Sequence, residues 1–389
     1  MPILNRAAGM QEEIAAWRRD FHANPEILYE VHRTAGIVAD KLREFGCDEV
    51  VTGIGRTGVV AVIKGRTDRS GKVIGLRADM DALPITEIAN PPWVSKVKGM
   101  MHACGHDGHT AMLLGAAKYL TETRNFDGTA ILIFQPAEEG GAGGLAMVKD
   151  GLMDRWKVDQ VYGLHNMPGL PVGQFAIRPG PILAAADRID IHITGHGAHA
   201  SRPHMSIDPI SVGCHLHAAL QTIVARNIDP LKSAVVSITM FQGGEAGNVI
   251  PQTARLQGTV RTLEAKVRDR VEARMKEIAA GIAAAHGAKI DLEYNRGYPV
   301  TKNHVSETDF AVKVAREVAG DGGVEPNMPP LMGGEDFSYM LEARPGAFIF
   351  MGIGDGAGLH HPAYDFNDEA IPAGVSYWAR LVETAMPAV

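Results

Sequence analysis

The sequence predicts a two-domain α/β protein, a larger domain on a mainly parallel central sheet interrupted by a ferredoxin-like βαββαβ insertion. Three observations carry this expectation. Up to about residue 184, short apolar runs alternate with amphipathic helical patterns. From about 185 to 296 the order becomes strand, helix, strand, strand, helix, strand. Beyond 296 the chain returns to a buried-strand run, Ala347-Phe348-Ile349-Phe350-Met351-Gly352-Ile353. The expected boundaries are 1–184 and 297–389 for the discontinuous domain and 185–296 for the insertion.

The elements follow in order. Residues 12–21 place Ile14, Trp17 and Phe21 on one helical face. Residues 34–45 repeat the pattern with Ile37, Val38, Leu42 and Phe45, closed by Gly46. Strands are expected around 58–64, 72–77, 129–134 and 158–164, and helices around 109–123 and 144–152. In the insertion, 187–194, 234–241, 253–263 and 289–294 read as strands, and 207–226 and 264–286 as helices.

Composition narrows the class. The 389 residues are 46% hydrophobic and 21% charged, ordinary for a globular protein. No run approaches the ~20 apolar residues that span a bilayer, so no membrane role is expected. The net charge of −7 and a pI near 6.1 argue against nucleic acid as a partner. The start, Met1-Pro2-Ile3-Leu4-Asn5-Arg6, lacks a signal-peptide core, and Cys47, Cys104 and Cys214 do not form a disulfide pattern. A cytoplasmic location is the expectation.

The chemistry concentrates in Met100-Met101-His102-Ala103-Cys104-Gly105-His106-Asp107-Gly108-His109. Thiol, imidazole and carboxylate in ten residues suit a metal better than a core, and a thiol with imidazole favours zinc or another late divalent ion over manganese. Cys104 and His106, two apart, would face the same side of an extended segment. More donors stand at the ends of predicted strands, where open α/β sheets bind ligands. Glu138 and Glu139 follow the run 129–134; one carboxylate can coordinate while the other handles protons. His165 ends Val161-Tyr162-Gly163-Leu164, and His360 and His361 compete for one role after 347–353. Asp79 and Asp81 are read as acceptors that orient ligand imidazoles from behind rather than as ligands. His215 and His217 read as ordinary helix residues, and Met100 and Met101 as packing.

Taken together, these segments resemble the metal-dependent amidohydrolases that include hippurate hydrolases, bacterial aminoacylases and auxin-conjugate hydrolases, a branch of the co-catalytic metallopeptidases related to carboxypeptidase G2. The resemblance also runs through Arg18-Arg19-Asp20-Phe21-His22, Gly195-His196-Gly197-Ala198-His199, Gly243-Gly244-Glu245-Ala246-Gly247-Asn248 and Gly334-Glu335-Asp336-Phe337. It implies two divalent ions (Mn, Zn, Ni or Co), with Cys104 at the bridging position. His106, Glu139, His165 and His360 would complete the ligand set. Glu138 would be the general base. Asp79 stands where relatives carry a ligand histidine. His199 would stabilise an oxyanion, and Asn248 and Arg261 would hold substrate. The implied substrate is a small N-acyl amino acid. The implied assembly is a homodimer in which the insertion serves as lid and dimerisation domain. Alternatives are a dipeptidase or carbamoylase using the same water attack, a binding protein of this fold without activity, and a hydrolase with Cys104 as nucleophile.

Overall fold

A computed structural model describes residues 3–388; Met1 and Pro2, which open the segment expected to lack a signal-peptide core, lie outside the described residues, as does Val389. The chain forms two compact units. One comprises the residues up to Ile182, Lys302–Pro329 and those from Asp336 onward; the other comprises Leu183–Thr301 and Pro330–Glu335. The second unit thus spans 183–301 rather than 185–296 and also takes in 330–335. Two hydrogen bonds hold that short return. The Ala184 N–H donates to Gly333 O at 2.9 Å, and Thr301 Oγ1 donates to Glu335 O at 3.2 Å.

The first unit is built on an eight-stranded sheet in the order Glu49–Ile54, Gly58–Lys64, Thr129–Gln135, Val73–Asp79, Gln160–Met167, Gly346–Gly352, Phe175–Ala176, Val324–Glu325. The four strands from Thr129–Gln135 to Gly346–Gly352 run parallel, and antiparallel pairs flank them. The central strands are buried on both faces, which is why they read as unbroken apolar runs. Glu49–Ile54, an edge strand, was not legible, because its burial is partial and its residues mix charge with valine. The helix His106–Thr123 is buried almost all round, packed against Gln11–Ala23 and Ile371–Ala385. Small residues permit that packing: a Cβ on Gly115 would meet Ile14 Cδ1 at 2.5 Å and Val375 Cγ2 at 2.8 Å.

In the second unit four antiparallel strands run in the order Ala234–Gly243, Thr253–Thr262, Ala185–Thr194, Lys289–Arg296. Ala185–Thr194 alternates strictly, its odd-numbered residues buried. Ile189, Ile191 and Ile193 pack with Leu216, Leu220 and Ile223 of the helix Pro209–Asn227 and with Val271 and Met275 of Ala265–His286. Asp208 caps the first helix through its carboxylate to the Ile210 N–H at 2.9 Å, with Pro209 at the opening position. A two-stranded ribbon, Ala198–His199 with Val249–Ile250, extends beyond the Thr194/Thr253 end of the sheet. No helix among the described residues is long and apolar enough to cross a membrane.

Candidate metal centre

Parallel register brings the expected donors to one edge of the first unit. Asp79 and Gln135 end neighbouring strands in register, and His165 stands opposite Phe350 near the ends of the next two. The segment expected to be extended between Cys104 and His106 is not. Gly105 has φ +94°, and His106 is already the first residue of the helix. The turn is available to glycine alone. A Cβ there would be strained by its φ and would lie 2.2 Å from Asn166 Oδ1 and 2.6 Å from Tyr364 Oη. This turn, rather than strand alternation, brings Cys104 and His106 together.

Donor atoms of Cys104, His106 and Glu139 all lie within 4.8 Å of one another. His165 Nε2 is 3.5 Å from Cys104 Sγ, and His360 Nε2 is 3.2 Å from Glu139 Oε1. The rings are oriented from behind. His106 Nδ1 faces the Asp81 carbonyl at 2.7 Å and must carry a proton, which turns Nε2 toward the other donors. His165 Nδ1 likewise donates to the Asn166 carbonyl at 2.8 Å. This is the arrangement in which a second hydrogen bond fixes the tautomer of a metal-binding imidazole. Asp81 also acts through its side chain. The carboxylate accepts the N–H groups of Glu138 and Glu139 at 2.9 and 3.1 Å, clamping the turn that carries both. That turn is entered through Ala137 at φ +54° and left through Gly140 at φ +97°. His360 also takes a left-handed conformation, φ +63°, and its N–H donates to Ala103 O at 2.7 Å. The neighbouring His361 turns away, its Nδ1 accepting from the Ala363 N–H at 3.0 Å.

Asp79 is fully buried and faces several partners. It accepts from His109 Nδ1 at 2.6 Å and from Arg77 Nη1 at 2.7 Å, with His106 Nε2 farther off at 3.5 Å. The imidazole it holds is therefore His109, which was not among the expected ligands. His109 Nε2 accepts from the Asn166 N–H at 3.0 Å, and Asn166 Nδ2 donates to Tyr364 Oη at 2.7 Å. On the other side Arg77 reaches Gln135 Oε1 at 2.9 Å and Asp336 Oδ1 at 3.1 Å. A buried chain thus runs from Asp336 through Arg77, Asp79 and His109 to Asn166 and Tyr364. A second network holds the helix start: Asp107 accepts from His22 Nδ1 at 2.9 Å and pairs with Arg18 at 3.6 Å. Sequence reading gave no role to His109, Asn166, Arg18 or His22. A second histidine one helical turn after His106 was the one usable signal.

Burial pushes the Cys104 thiol up to about 12, His106 being the main opposing influence. A thiolate there needs a cation beside it, and an unassisted thiol is a poor nucleophile. Burial and the neighbouring His109 hold His165 well below the ordinary imidazole range, so it is neutral. Burial opposes charge on His106 too, but Asp79, Cys104 and Asp81 outweigh it and raise its proton affinity. Burial resists ionisation of Glu139, while His360 and His106 lower it below the usual range. His106 Nε2 is buried without a hydrogen-bond partner, 4.0 Å from Glu139 Oε1, which is itself paired with His360 Nε2 at 3.2 Å. A buried polar atom left so is costly, and sulfur, imidazole and carboxylate together fit a late divalent metal.

The other expected residues lie in the second unit. His199 is exposed on the ribbon, its Nδ1 accepting from the Ser201 N–H at 3.1 Å and standing 2.8 Å from Ser201 Oγ. Asn248 is exposed beside it, its carbonyl accepting from the Ala200 N–H at 3.0 Å. Arg261 is half-buried near the end of the four-stranded sheet away from the ribbon, in register with Ala186. Eight residues of strand separate Thr253 from Arg261, about 26 Å at ~3.3 Å per residue.

Comparison with known proteins gives a consistent pattern. The sequence profile of Peptidase family M20/M25/M40 matches residues 75–384. The hippurate hydrolase of Campylobacter jejuni is 44% identical over 381 residues, covering 98% of each chain. An N-acetylcysteine deacetylase of Bacillus subtilis is 41% identical, covering 94% of each. The structure of the Bacillus subtilis YXEP protein, described as a dinuclear metal binding peptidase from the M20 family, superposes with a TM-score of 0.85 at 36% identity, covering 98% of this chain and 100% of that one.

Proposed function

The chain belongs to Peptidase family M20/M25/M40, and from that premise we propose that it hydrolyses the amide bond of N-acyl amino acids, releasing a carboxylic acid and a free amino acid. One observation carries the reading. Cys104, His106 and Glu139 bring donor atoms within 4.8 Å of one another, His165 stands beside Cys104 and His360 beside Glu139, and Glu138 shares the Asp81-clamped turn of Glu139. These five residues would hold two divalent ions drawn from manganese, zinc, nickel and cobalt. When bound, such ions lower the pKa of water and polarise an amide carbonyl. Glu138 accepts the proton of the attacking water and passes it to the departing amine. Asp81 keeps Glu138 in reach through its backbone N–H, and Asp79 supports the site through His109. His199 stabilises the oxyanion. Arg261 and Asn248 serve substrate binding.

The test is a panel of N-acyl amino acids run beside N-carbamoyl amino acids and unblocked dipeptides, each with the four metals. Turnover of N-benzoyl or N-acetyl amino acids is expected to exceed that of the other two classes at least about 10-fold in kcat/KM, about 1.4 kcal/mol in transition-state binding. A preference for carbamoyl or dipeptide substrates would move the protein to that activity.

The second unit, 183–301 with 330–335, is proposed as lid and dimerisation domain. Its sheet has two edges, Ala234–Gly243 and Lys289–Arg296, and an open edge is a template for pairing with a second copy. His199 lies on the ribbon beyond the Thr194/Thr253 end of the four-stranded sheet, and Arg261 lies near the other end of that sheet. A single small substrate can be reached by both if His199 comes from the neighbouring subunit. Mixing inactive His199→Ala subunits with inactive Glu138→Gln subunits is then expected to restore activity, since a mixed dimer has one site with both defects and one intact. Verified heterodimers without recovery would exclude the exchange.

A further inference from the structure

We propose that Arg18, His102 and Asp107 enclose an internal water site that ties the Cys104–His106 turn to the loop bearing His360, with Arg18 and His102 as positioning residues. Its bearing on metal rests on the donor set proposed above; the water site does not. All three side chains are fully buried. Between them four atoms lack a hydrogen-bond partner: Arg18 Nη2, Asp107 Oδ1 and both ring nitrogens of His102. The remaining atoms of the arginine and the aspartate are engaged, which fixes their orientation. Arg18 Nε donates to Asp368 Oδ1 at 2.7 Å and Nη1 to Asp365 Oδ1 at 2.8 Å, with Asp107 Oδ2 3.6 Å from Nη1. His22 Nδ1 donates to Asp107 Oδ2 at 2.9 Å, and the His22 and His102 ring centres lie 6.4 Å apart. Burial pushes His102 down to about 3, and Asp107 is the strongest charge working against it.

The chemistry of the four atoms selects the occupant. An imidazole in either neutral tautomer offers one N–H and one lone pair, so the set holds two donors and two acceptors. A cation would meet the N–H groups of Arg18, and an anion would meet the Asp107 carboxylate; neither suits both. Water donates and accepts at once, and a buried water typically makes about three hydrogen bonds. One molecule can accept from Arg18 Nη2, donate to Asp107 Oδ1 and pair with one nitrogen of His102. Its place in the chain gives it a role. His102 stands two residues before Cys104, and Asp107 is the second residue of the helix that His106 opens. Arg18 carries the tie onward to Asp365 and Asp368, five and eight residues past His360. Trp93 braces the same junction, its Nε1 donating to Asp365 Oδ1 at 3.1 Å while the Arg18 guanidinium lies 4.9 Å from its ring centre. The donors at 104 and 106 and the donor at 360 are held in relation through one buried junction, which adds to the backbone bond from the His360 N–H to Ala103 O.

The experiment has a direct arm and a functional one. A high-resolution crystal structure of the wild type is expected to show an ordered water ~2.7–3.2 Å from Arg18 Nη2, Asp107 Oδ1 and one His102 nitrogen, and a bromide-soaked crystal no anomalous peak there. No density at that point, a bromide peak, or direct contact between Arg18 Nη2 and Asp107 Oδ1 overturns the water site. In solution, His102→Leu removes both nitrogens. It should weaken divalent-metal binding, read by chelator competition, about 10-fold, the lower end of what losing an outer hydrogen-bond partner costs a metal site. His102→Gln keeps a donor and an acceptor and should stay within about three-fold of wild type. A double-mutant cycle reads the positioning role: in the His360→Ala background His102→Leu should cost less than about two-fold, because no His360 ring is left to align. An equal loss in both backgrounds, or a lower melting temperature with metal affinity unchanged, makes the junction structural only and overturns that role. Should His102→Leu not fold, Arg18→Lys, which keeps the charge and loses the planar fork, takes its place in the cycle. If the wild type binds no metal, the donor set fails, and the crystal structure decides the water site separately.

Discussion

Glu138→Gln is expected to lower kcat by about 10³-fold, with bound metal unchanged. Positioned acid–base catalysis contributes roughly 10²–10⁴-fold, so the loss corresponds to about 4 kcal/mol of transition-state stabilisation. Glutamine keeps the size and the backbone N–H that Asp81 clamps, and removes only the ability to take a proton. KM should move little, because Glu138 is assigned to the reacting water rather than to substrate binding. Elemental analysis read beside kinetics separates the roles of the adjacent pair. Metal lost from Glu138→Gln and retained in Glu139→Gln would show the two to be exchanged. Near-normal turnover would remove Glu138 from the chemistry.

The second large effect is that of metal removal. Exhaustive chelation should abolish hydrolysis, and titration with a single divalent ion should restore it. Loss should also lower the melting temperature, because the apo protein buries His106 Nε2 without a hydrogen-bond partner, at a cost of roughly 1–3 kcal/mol. The same titration distinguishes two adjacent histidines. His360→Ala should weaken metal binding about 10-fold or more, since its ring faces Glu139, whereas His361→Ala should change it less than about two-fold, its ring being engaged with its own loop. Metal-independent activity after verified removal would leave the proposed mechanism without a basis.

Much of this architecture could be read from the sequence for plain physical reasons. The parallel strands are buried on both faces and so appear as continuous apolar runs. Ala185–Thr194, buried on one face only, appears as strict alternation. What escaped is instructive. Glu49–Ile54 is an edge strand with little burial to write a pattern. The Gly105 turn hides in a segment that looks extended, because a single left-handed glycine leaves no periodic trace. The donor residues stood out by chemical type. Their support did not: Arg77, His109 and Asn166 act through partners up to 259 positions away, a relation no local window contains. Asp81 is the clearest case. A carboxylate just past a strand end reads as a partner for an imidazole; it stands 3.5 Å from His106 Nδ1, but the closer contact to that ring is the Asp81 backbone carbonyl, and the carboxylate also accepts two amides.

The interrupted course of the chain has a consequence for how the enzyme is made. The second unit is a nearly continuous stretch, 183–301, with a core of its own, so it can condense as soon as it leaves the ribosome. The first unit cannot. Its sheet is missing Gly346–Gly352, and its donor cluster is missing His360, until the last portion of the chain arrives. Closing that separation carries the entropy cost of long-range contacts, although a folded insert shortens the effective loop. Full-strength metal capture is therefore a late event in biogenesis. A chain truncated before residue 360 should hold its ions weakly even where Cys104, His106, Glu139 and His165 are all present, which makes tight metal retention a marker of a completed molecule.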